Sequence, residues 1–358
     1  MSKPMELGVL KPLMEDPTIS EIMINGPKQI FIERGGKKNL TDVTFNNAEE
    51  LLRMIEELFF SGGKRISPKD APYADICLSD GTRINAILPP LSRFGVSVTI
   101  RKFSRDITVL DDLVKIGTIS RKAADLLIAC IAGRVNIIFS GGTGVGKTTL
   151  LQLLSHYFGE EERVVSVEDA PELRLRQKHW ISLETRPPDQ DGKYRATIRD
   201  LITNSLRMAP DRLIVGEVRG EEALDMIHAM ATGHSGTLVV IHGNSPKDVI
   251  ARLETMVLMS GISLPLAEAR KMIASTVNLV VHMQRMMDGT RKVTYITELR
   301  GMGDEGIVLN DLFAYQLEKT DASGKVVGSL KPSLRFYPLF FQRFERLGIS
   351  VDKIFSND

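Results

Sequence analysis

Val135-Asn136-Ile137-Ile138-Phe139-Ser140-Gly141-Gly142-Thr143-Gly144-Val145-Gly146-Lys147-Thr148-Thr149 joins an apolar run to a helical pattern through a glycine-rich loop. Residues 135–139 are an apolar run of the length of a strand buried on both faces. Residues 147–157 carry apolar positions at helical spacing. The loop between them has the form Gly-x-x-x-x-Gly-Lys-Thr, in which glycines let backbone N–H groups curl around a polyphosphate. The helix that follows points its positive end at the same place. Lys147 is then expected to reach the β- and γ-phosphates, and the Thr148 hydroxyl to coordinate Mg²⁺. Gly141, Gly142, Thr143, Gly144, Val145, Gly146, Lys147, Thr148 and Thr149 are the expected nucleotide contacts.

Outward from this loop, apolar strands are expected over 164–167, 213–215 and 238–241, and helices over 110–115 and 121–131 precede it. Strands alternating with helices imply an α/β fold with a doubly wound parallel sheet. After 279 the chain reads as strands again, 279–283 and 293–299, around a turn at Asp288-Gly289. The tail 330–348 carries Phe336, Tyr337, Phe340, Phe341 and Phe344, read as packing residues with a partner-docking surface as the alternative. Upstream, the chain reads as α+β. Strands are expected over 21–25, 29–33, 73–78, 83–88 and 96–103, with a helix over 48–60. Ser79-Asp80-Gly81-Thr82 is read as a hairpin turn. Residues 104–108 are polar and aperiodic. The expected domains are therefore 1–103 and 109–358, joined by a linker at 104–108.

Each later strand ends in a side chain suited to phosphate chemistry. Leu213-Ile214-Val215-Gly216-Glu217 is an apolar strand closing on a carboxylate, the Walker B arrangement, where the acid meets Mg²⁺ or orients the attacking water. Glu168-Asp169 closes 164–167, and ligands of open α/β sheets bind at that strand end. A surface charge remains the alternative reading for either acid. His242 closes 238–241, either as a γ-phosphate sensor or as a packed or solvated histidine.

Composition excludes several function classes. Lys+Arg, at 46, nearly balances Asp+Glu, at 45, without the basic excess of a nucleic-acid binder. Cys77 and Cys130 are the only cysteines, and no signal-peptide pattern opens the chain. Both point to a reducing, cytoplasmic setting. The longest apolar stretch, 126–139, is broken by Arg134 and is too short for a membrane span, so any membrane contact is expected to be peripheral.

Four motifs in order resemble the secretion and pilus-assembly ATPase superfamily. They are the loop 141–149, Ser-Val-Glu-Asp-Ala-Pro-Glu-Leu at 166–173, Leu-Ile-Val-Gly-Glu-Val-Arg-Gly at 213–220 and Gly-His-Ser-Gly-Thr-Leu-Val-Val-Ile-His at 233–242. Within it the chain is most similar to CpaF/TadA-type (Flp, tight adherence) pilus ATPases. Ile22-Met23-Ile24-Asn25-Gly26-Pro27, the stretch 80–87, Thr99-Ile100-Arg101-Lys102-Phe103, Glu184-Thr185-Arg186-Pro187-Pro188 and Leu206-Arg207-Met208-Ala209-Pro210-Asp211 carry that likeness. Against many such relatives, the longer N-terminal extension is expected to be absent, and Arg93-Phe94-Gly95 stands where they carry a different short loop.

The resemblance implies a RecA-like P-loop NTPase domain at the C-terminal side and a PAS-like α+β domain before it. Glu217 would be the catalytic glutamate, Glu168 an acid near Mg²⁺, and His242 the histidine of the His box. Arg83 and Arg101 would reach the triphosphate; without the resemblance they read as ordinary strand arginines. It further implies ATP and Mg²⁺ as cofactors and a homo-hexameric ring. That ring would act on inner-membrane platform proteins, assembling or retracting a pilus or driving secretion. A nucleotide-dependent scaffold with little turnover is the alternative, and a nucleic-acid translocase a third reading that the balanced charge disfavours.

Overall fold

The computed structural model describes residues 8–78, 80–102, 107–188, 193–322, 324–333, 337–350 and 352–355. Ser79, Phe103, residues 104–106 of the expected linker and Phe336 lie outside the described residues. The chain divides into two compact units, Met1–Ile107 and Thr108–Asp358.

The first unit is one antiparallel sheet with a helix laid on it. Its strands β1 (Ile19–Asn25), β2 (Ile30–Arg34), β3 (Lys37–Leu40), β4 (Tyr73–Cys77), β5 (Arg83–Ile87) and β6 (Ser97–Arg101) lie in the order β3-β2-β1-β6-β5-β4. Strand alternation sends Ile22, Ile24, Ile84, Ala86, Val98 and Ile100 to one face. There the helix Ala48–Ser61 buries Leu51, Ile55, Leu58 and Phe59 against them. Asn47 starts that helix by accepting a hydrogen bond from the Glu50 amide at 2.9 Å. The Asp80-Gly81 hairpin forms as expected, with Gly81 at φ 91°.

The second unit holds a nine-stranded sheet in the order β15-β14-β13-β12-β7-β11-β10-β8-β9. Its strands are β7 (Ile137–Gly141), β8 (Val164–Glu168), β9 (Trp180–Glu184), β10 (Arg212–Val215), β11 (Leu238–Ile241), β12 (Leu279–Arg285), β13 (Arg291–Gly303), β14 (Gly306–Thr320) and β15 (Val326–Pro332). From β12 through β9 every neighbouring pair is parallel, whereas β12 through β15 are antiparallel. The expected parallel sheet is therefore a parallel core with an antiparallel extension. On one face Ile138, Val167, Leu213, Val215, Val239 and Ile241 pack against helices Ile198–Ser205, Glu222–Ala231, Pro246–Leu258 and Leu266–Thr276. The alternate residues Ile137 and Phe139 are also fully buried, so both faces are covered.

Some expected boundaries move for local reasons. The strand expected at 135–139 starts at Ile137, because the Asn136 side chain is busy joining three segments. Its Oδ1 accepts from the Gly236 and Thr237 amides at 2.8 and 3.0 Å, and its Nδ2 donates to the Thr276 carbonyl at 2.8 Å. The helix expected to reach 157 stops at Leu154 and tightens into a 3₁₀ turn, Ser155–Tyr157. β3, β9, β14 and β15 were not expected. In the tail, Phe340 and Phe344 are buried with ring centroids 5.5 Å apart, as the packing reading requires, while Tyr337 is exposed. No helix among the described residues is long and apolar enough to cross a membrane.

One buried ion pair braces the sheet at the end away from the phosphate loop. Arg212, only 2% exposed at the start of β10, meets Glu162 with Nε–Oε2 at 2.5 Å and Nη2–Oε1 at 3.2 Å. Its Nη2 also donates to the Ile131 carbonyl at 2.8 Å, and the guanidinium lies 4.5 Å from the Phe158 ring centroid. Arg212→Met should cost about 3 kcal/mol in urea unfolding, the low end for breaking a buried pair. The low end applies because Arg134 still holds Glu162 at 2.7 Å. A loss under about 1 kcal/mol would mean the pair contributes no more than a surface one.

Candidate nucleotide site

The phosphate loop leaves the C-terminal end of β7 in a conformation that its glycines make possible. Gly141 sits at φ 140°, and a Cβ there would lie 2.2 Å from the Met283 carbonyl oxygen of β12. Gly144 and Gly146 adopt φ of 71° and 101°, which L-residues with side chains avoid. Val145 anchors the loop by turning inward and is buried. Gly146 caps the helix Lys147–Leu154 at its N-terminus. Gly142, Thr143, Gly144 and Thr149 are exposed and Thr148 is half-buried, so the loop's outer rim is accessible.

Lys147 folds back over this loop. Its Nζ donates to the Gly141 carbonyl at 3.1 Å and the Gly142 carbonyl at 2.6 Å. Burial pulls the amine down to about 8, against the opposing fields of Glu217 and Glu172. Above that pH the amine loses its proton, and with it the attraction for phosphate. Affinity for an ATP analogue is therefore expected to be flat to about pH 8 and to fall beyond it, by up to about tenfold per pH unit. A titration from pH 7 to 9.5 with a fluorescent analogue checks this; constant affinity across that range would reject it.

Glu217 stands just past β10, between two cations or potential cations. Arg219 Nη2 donates to its Oε2 at 2.6 Å, and His242 Nε2 lies 3.3 Å from its Oε1. Burial pushes the Glu217 carboxyl up, but Arg219, His242 and Lys147 together hold it below the usual carboxylate range. His242 is pushed down by burial and by Lys147, with Glu217 opposing. Its ring is placed to hydrogen-bond Glu217 or a ligand at the same edge. The turn is held by Glu222, whose Oε1 accepts from the Arg219 and Gly220 amides at 2.6 and 2.9 Å.

Glu168 ends β8 at the same sheet edge and is 2% exposed. Its Oε1 accepts from the Glu172 and Leu173 amides at 2.9 and 3.1 Å, shaping the loop that follows. Gly216 makes room for it: a Cβ there would lie 2.8 Å from the Glu168 Cγ. Glu172 acts on Lys147, and Glu172 and Asp169 act on Arg219. Glu172 and Arg219 thus join the site although the sequence reading passed over them. Glu172 lies within the stretch 166–173 and Arg219 within 213–220, in which only Glu168-Asp169 and Glu217 are expected to be functional.

The parallel core thus gathers Lys147, Thr148, Glu168, Glu217 and His242 at one edge, the C-terminal ends of β7, β8, β10 and β11. Arg83 and Arg101 belong to the other unit, directly opposite each other across β5 and β6. Arg101 Nε meets Glu21 Oε1 at 3.0 Å.

Known proteins match this chain over most of its length. The model of the type II/IV secretion system protein family matches residues 4–316. The conjugal transfer protein TrbB of Rhizobium radiobacter is 30% identical over 293 residues, covering 80% of this chain and 86% of TrbB. The type IV secretion system protein VirB11 of Brucella suis is 30% identical over 313 residues, covering 79% and 86%. The X-ray structure of the Legionella pneumophila ATPase DotB shares the fold at 21% identity and a TM-score of 0.56, covering 79% of this chain and 77% of that one. The chain belongs to the family of type II/IV secretion system proteins.

Proposed function

We propose that the chain is a hexameric motor ATPase of the CpaF/TadA type. It couples ATP hydrolysis to assembly, and to retraction where that occurs, of a Flp or type IV-like pilus, or to type II/IV secretion. The observation that carries this reading is the Glu217 carboxylate, kept ionised between Arg219 and His242 at the sheet edge where the phosphate loop opens. An ionised acid at that edge can polarise water for attack on a γ-phosphate. The Flp branch rests on the motifs at 22–27, 99–103 and 184–188, and the secretion role on kinship with TrbB and VirB11. In this reading the second unit is RecA-like and the first PAS-like. The chain works at the cytoplasmic face of the inner membrane through platform proteins, without nucleic acid.

The donor set fits magnesium. The Thr148 hydroxyl and the carboxylates of Glu168 and Glu217 are hard oxygen donors, and Mg²⁺ takes one or two such groups together with nucleotide phosphates and water. When bound, Mg²⁺ supplies neutralisation of charge on the β- and γ-phosphates. Lys147 binds the same phosphates, His242 offers its imidazole to the γ-phosphate, and Arg83 and Arg101 are the arginines proposed to neutralise charge developing on it.

Steady-state phosphate release by the purified chain, with particle mass by light scattering in the presence and absence of a non-hydrolysable ATP analogue, tests this function. Turnover and a six-subunit mass support it. ATP binding without phosphate release would instead mark a nucleotide-dependent scaffold, and stimulation by DNA would mark a translocase.

A further inference from the structure

His282 is a buried histidine that no motif assigns. It lies in β12, paired in register with Ser140 of β7, the residue before the phosphate loop. Both side chains are completely buried. The Ser140 Oγ and His282 Nδ1 are 2.8 Å apart. The opposite ring edge faces the turn after His242. There the Gln284 amide lies 3.4 Å from the His282 Nε2 and donates to the Asn244 carbonyl at 3.4 Å, so it stands between the ring and that turn.

That turn is stiff on its other side. A Cβ on Gly243 would lie 2.4 Å from Val249, so the backbone there is pressed onto the helix Pro246–Leu258. The Asn244 amide donates to Asp248 Oδ2 at 2.8 Å. His282 therefore stands between two rigid pieces that each carry a phosphate-facing group, the loop with Lys147 and the turn with His242. One residue further along β12, Met283 presses its carbonyl against Gly141. A buried polar side chain needs hydrogen-bond partners, but an apolar residue would satisfy the fold here at no such cost. The imidazole has a partner at each edge, Ser140 before the phosphate loop and Gln284, which itself holds the turn after His242.

We propose that His282 is a positioning residue for ATP hydrolysis, tying the root of the phosphate loop at Ser140 to the turn that carries His242. The inference rests on the proposed ATPase reaction with His242 at the γ-phosphate. Burial, with the nearby Lys147 charge, pushes the imidazole down to about 4. The ring is thus neutral across the working pH range, and it holds Ser140 directly and the Asn244 turn through Gln284.

The test is a set of variants read for kcat, analogue affinity and Tm together. His282→Leu removes both links at similar volume. It should lower kcat by about 10²-fold, the scale of a misplacement near 1 Å, while affinity for a non-hydrolysable ATP analogue stays within about threefold. His282→Asn, which can keep the Ser140 link, and His282→Gln, which can keep the Asn244 link, should each restore kcat only in part. Ser140→Ala should lower kcat in the same direction, and the Ser140→Ala, His282→Leu double variant should be no worse than His282→Leu alone. Unchanged kcat in Ser140→Ala and His282→Asn, or affinity and kcat falling in step, would overturn the proposal. Should His282→Leu fail to fold, those two milder variants decide. Absence of phosphate release from the wild-type chain would instead defeat the underlying ATPase reading.

Discussion

Glu217→Gln is expected to lower kcat by about 10³-fold while ATP binding stays within a few-fold of the wild type. The amide is nearly isosteric, so the turn held by Glu222 and the packing of Gly216 on Glu168 survive. What changes is the charge. A carboxylate held below its usual range by Arg219, His242 and Lys147 is available to accept or polarise a proton at neutral pH; an amide is not. Phosphate contacts come from the loop and Lys147, which the substitution leaves alone, so binding and turnover should separate. Stopped-flow binding of a fluorescent analogue alongside phosphate release checks this. Normal turnover would remove Glu217 from the reaction, and lost binding would make it a structural support of the loop.

Arg101→Ala is expected to reduce kcat by about 10³-fold with little effect on folding, the range for an arginine supplied to a γ-phosphate in transit. Within the first unit, the physical case lies in the pairing of β5 and β6. Directly opposed like charges disfavour a sheet by a few tenths of a kcal/mol or more, yet Arg83 and Arg101 face each other there. Glu21 meets Arg101 from the other side, with Arg101 still about half exposed. The role proposed for both arginines is to supply positive charge to the γ-phosphate in transit. Arg83→Ala should behave similarly, and the double variant should fall short of additivity because both arginines serve one ligand. An unchanged rate in Arg101→Ala, with Tm intact, would return both residues to the role of ordinary strand arginines.

How much of this was legible beforehand depends on how each residue announces itself. The strands at 164–168, 212–215 and 238–241 carry mostly apolar runs because they are buried on both faces, and the expected bounds match within one residue at either end. β9 was missed because Trp180-Ile181-Ser182-Leu183-Glu184 is a partly exposed edge strand without a continuous apolar run. β3 escaped for a stronger version of the same reason, since Lys37-Lys38-Asn39-Leu40 is exposed at every position. The C-terminal end of β14, Gln316–Thr320, turns polar and exposed as the sheet runs into solvent. Glu217, His242 and Lys147 could be found because each follows or opens an element that sequence patterns mark. His282 sits mid-strand among valines, and only the pairing of β12 with β7 reveals what it touches. Arg219 and Glu172 lay inside recognised motifs, but their roles depend on side-chain directions that spacing does not encode.

The strand that carries the phosphate loop has neighbours made much later than itself. β7 ends at Gly141, yet it is flanked by β11 and by β12, whose Met283 carbonyl closes against Gly141. During synthesis, the loop therefore emerges long before one wall of its cradle exists. Contacts so distant along the chain form slowly, and an unpaired apolar strand exposed meanwhile invites aggregation. A nascent chain halted before residue 283 should bind nucleotide poorly although every loop residue has been translated. Competence would arrive late and abruptly, with the antiparallel extension rather than with the motif that names it.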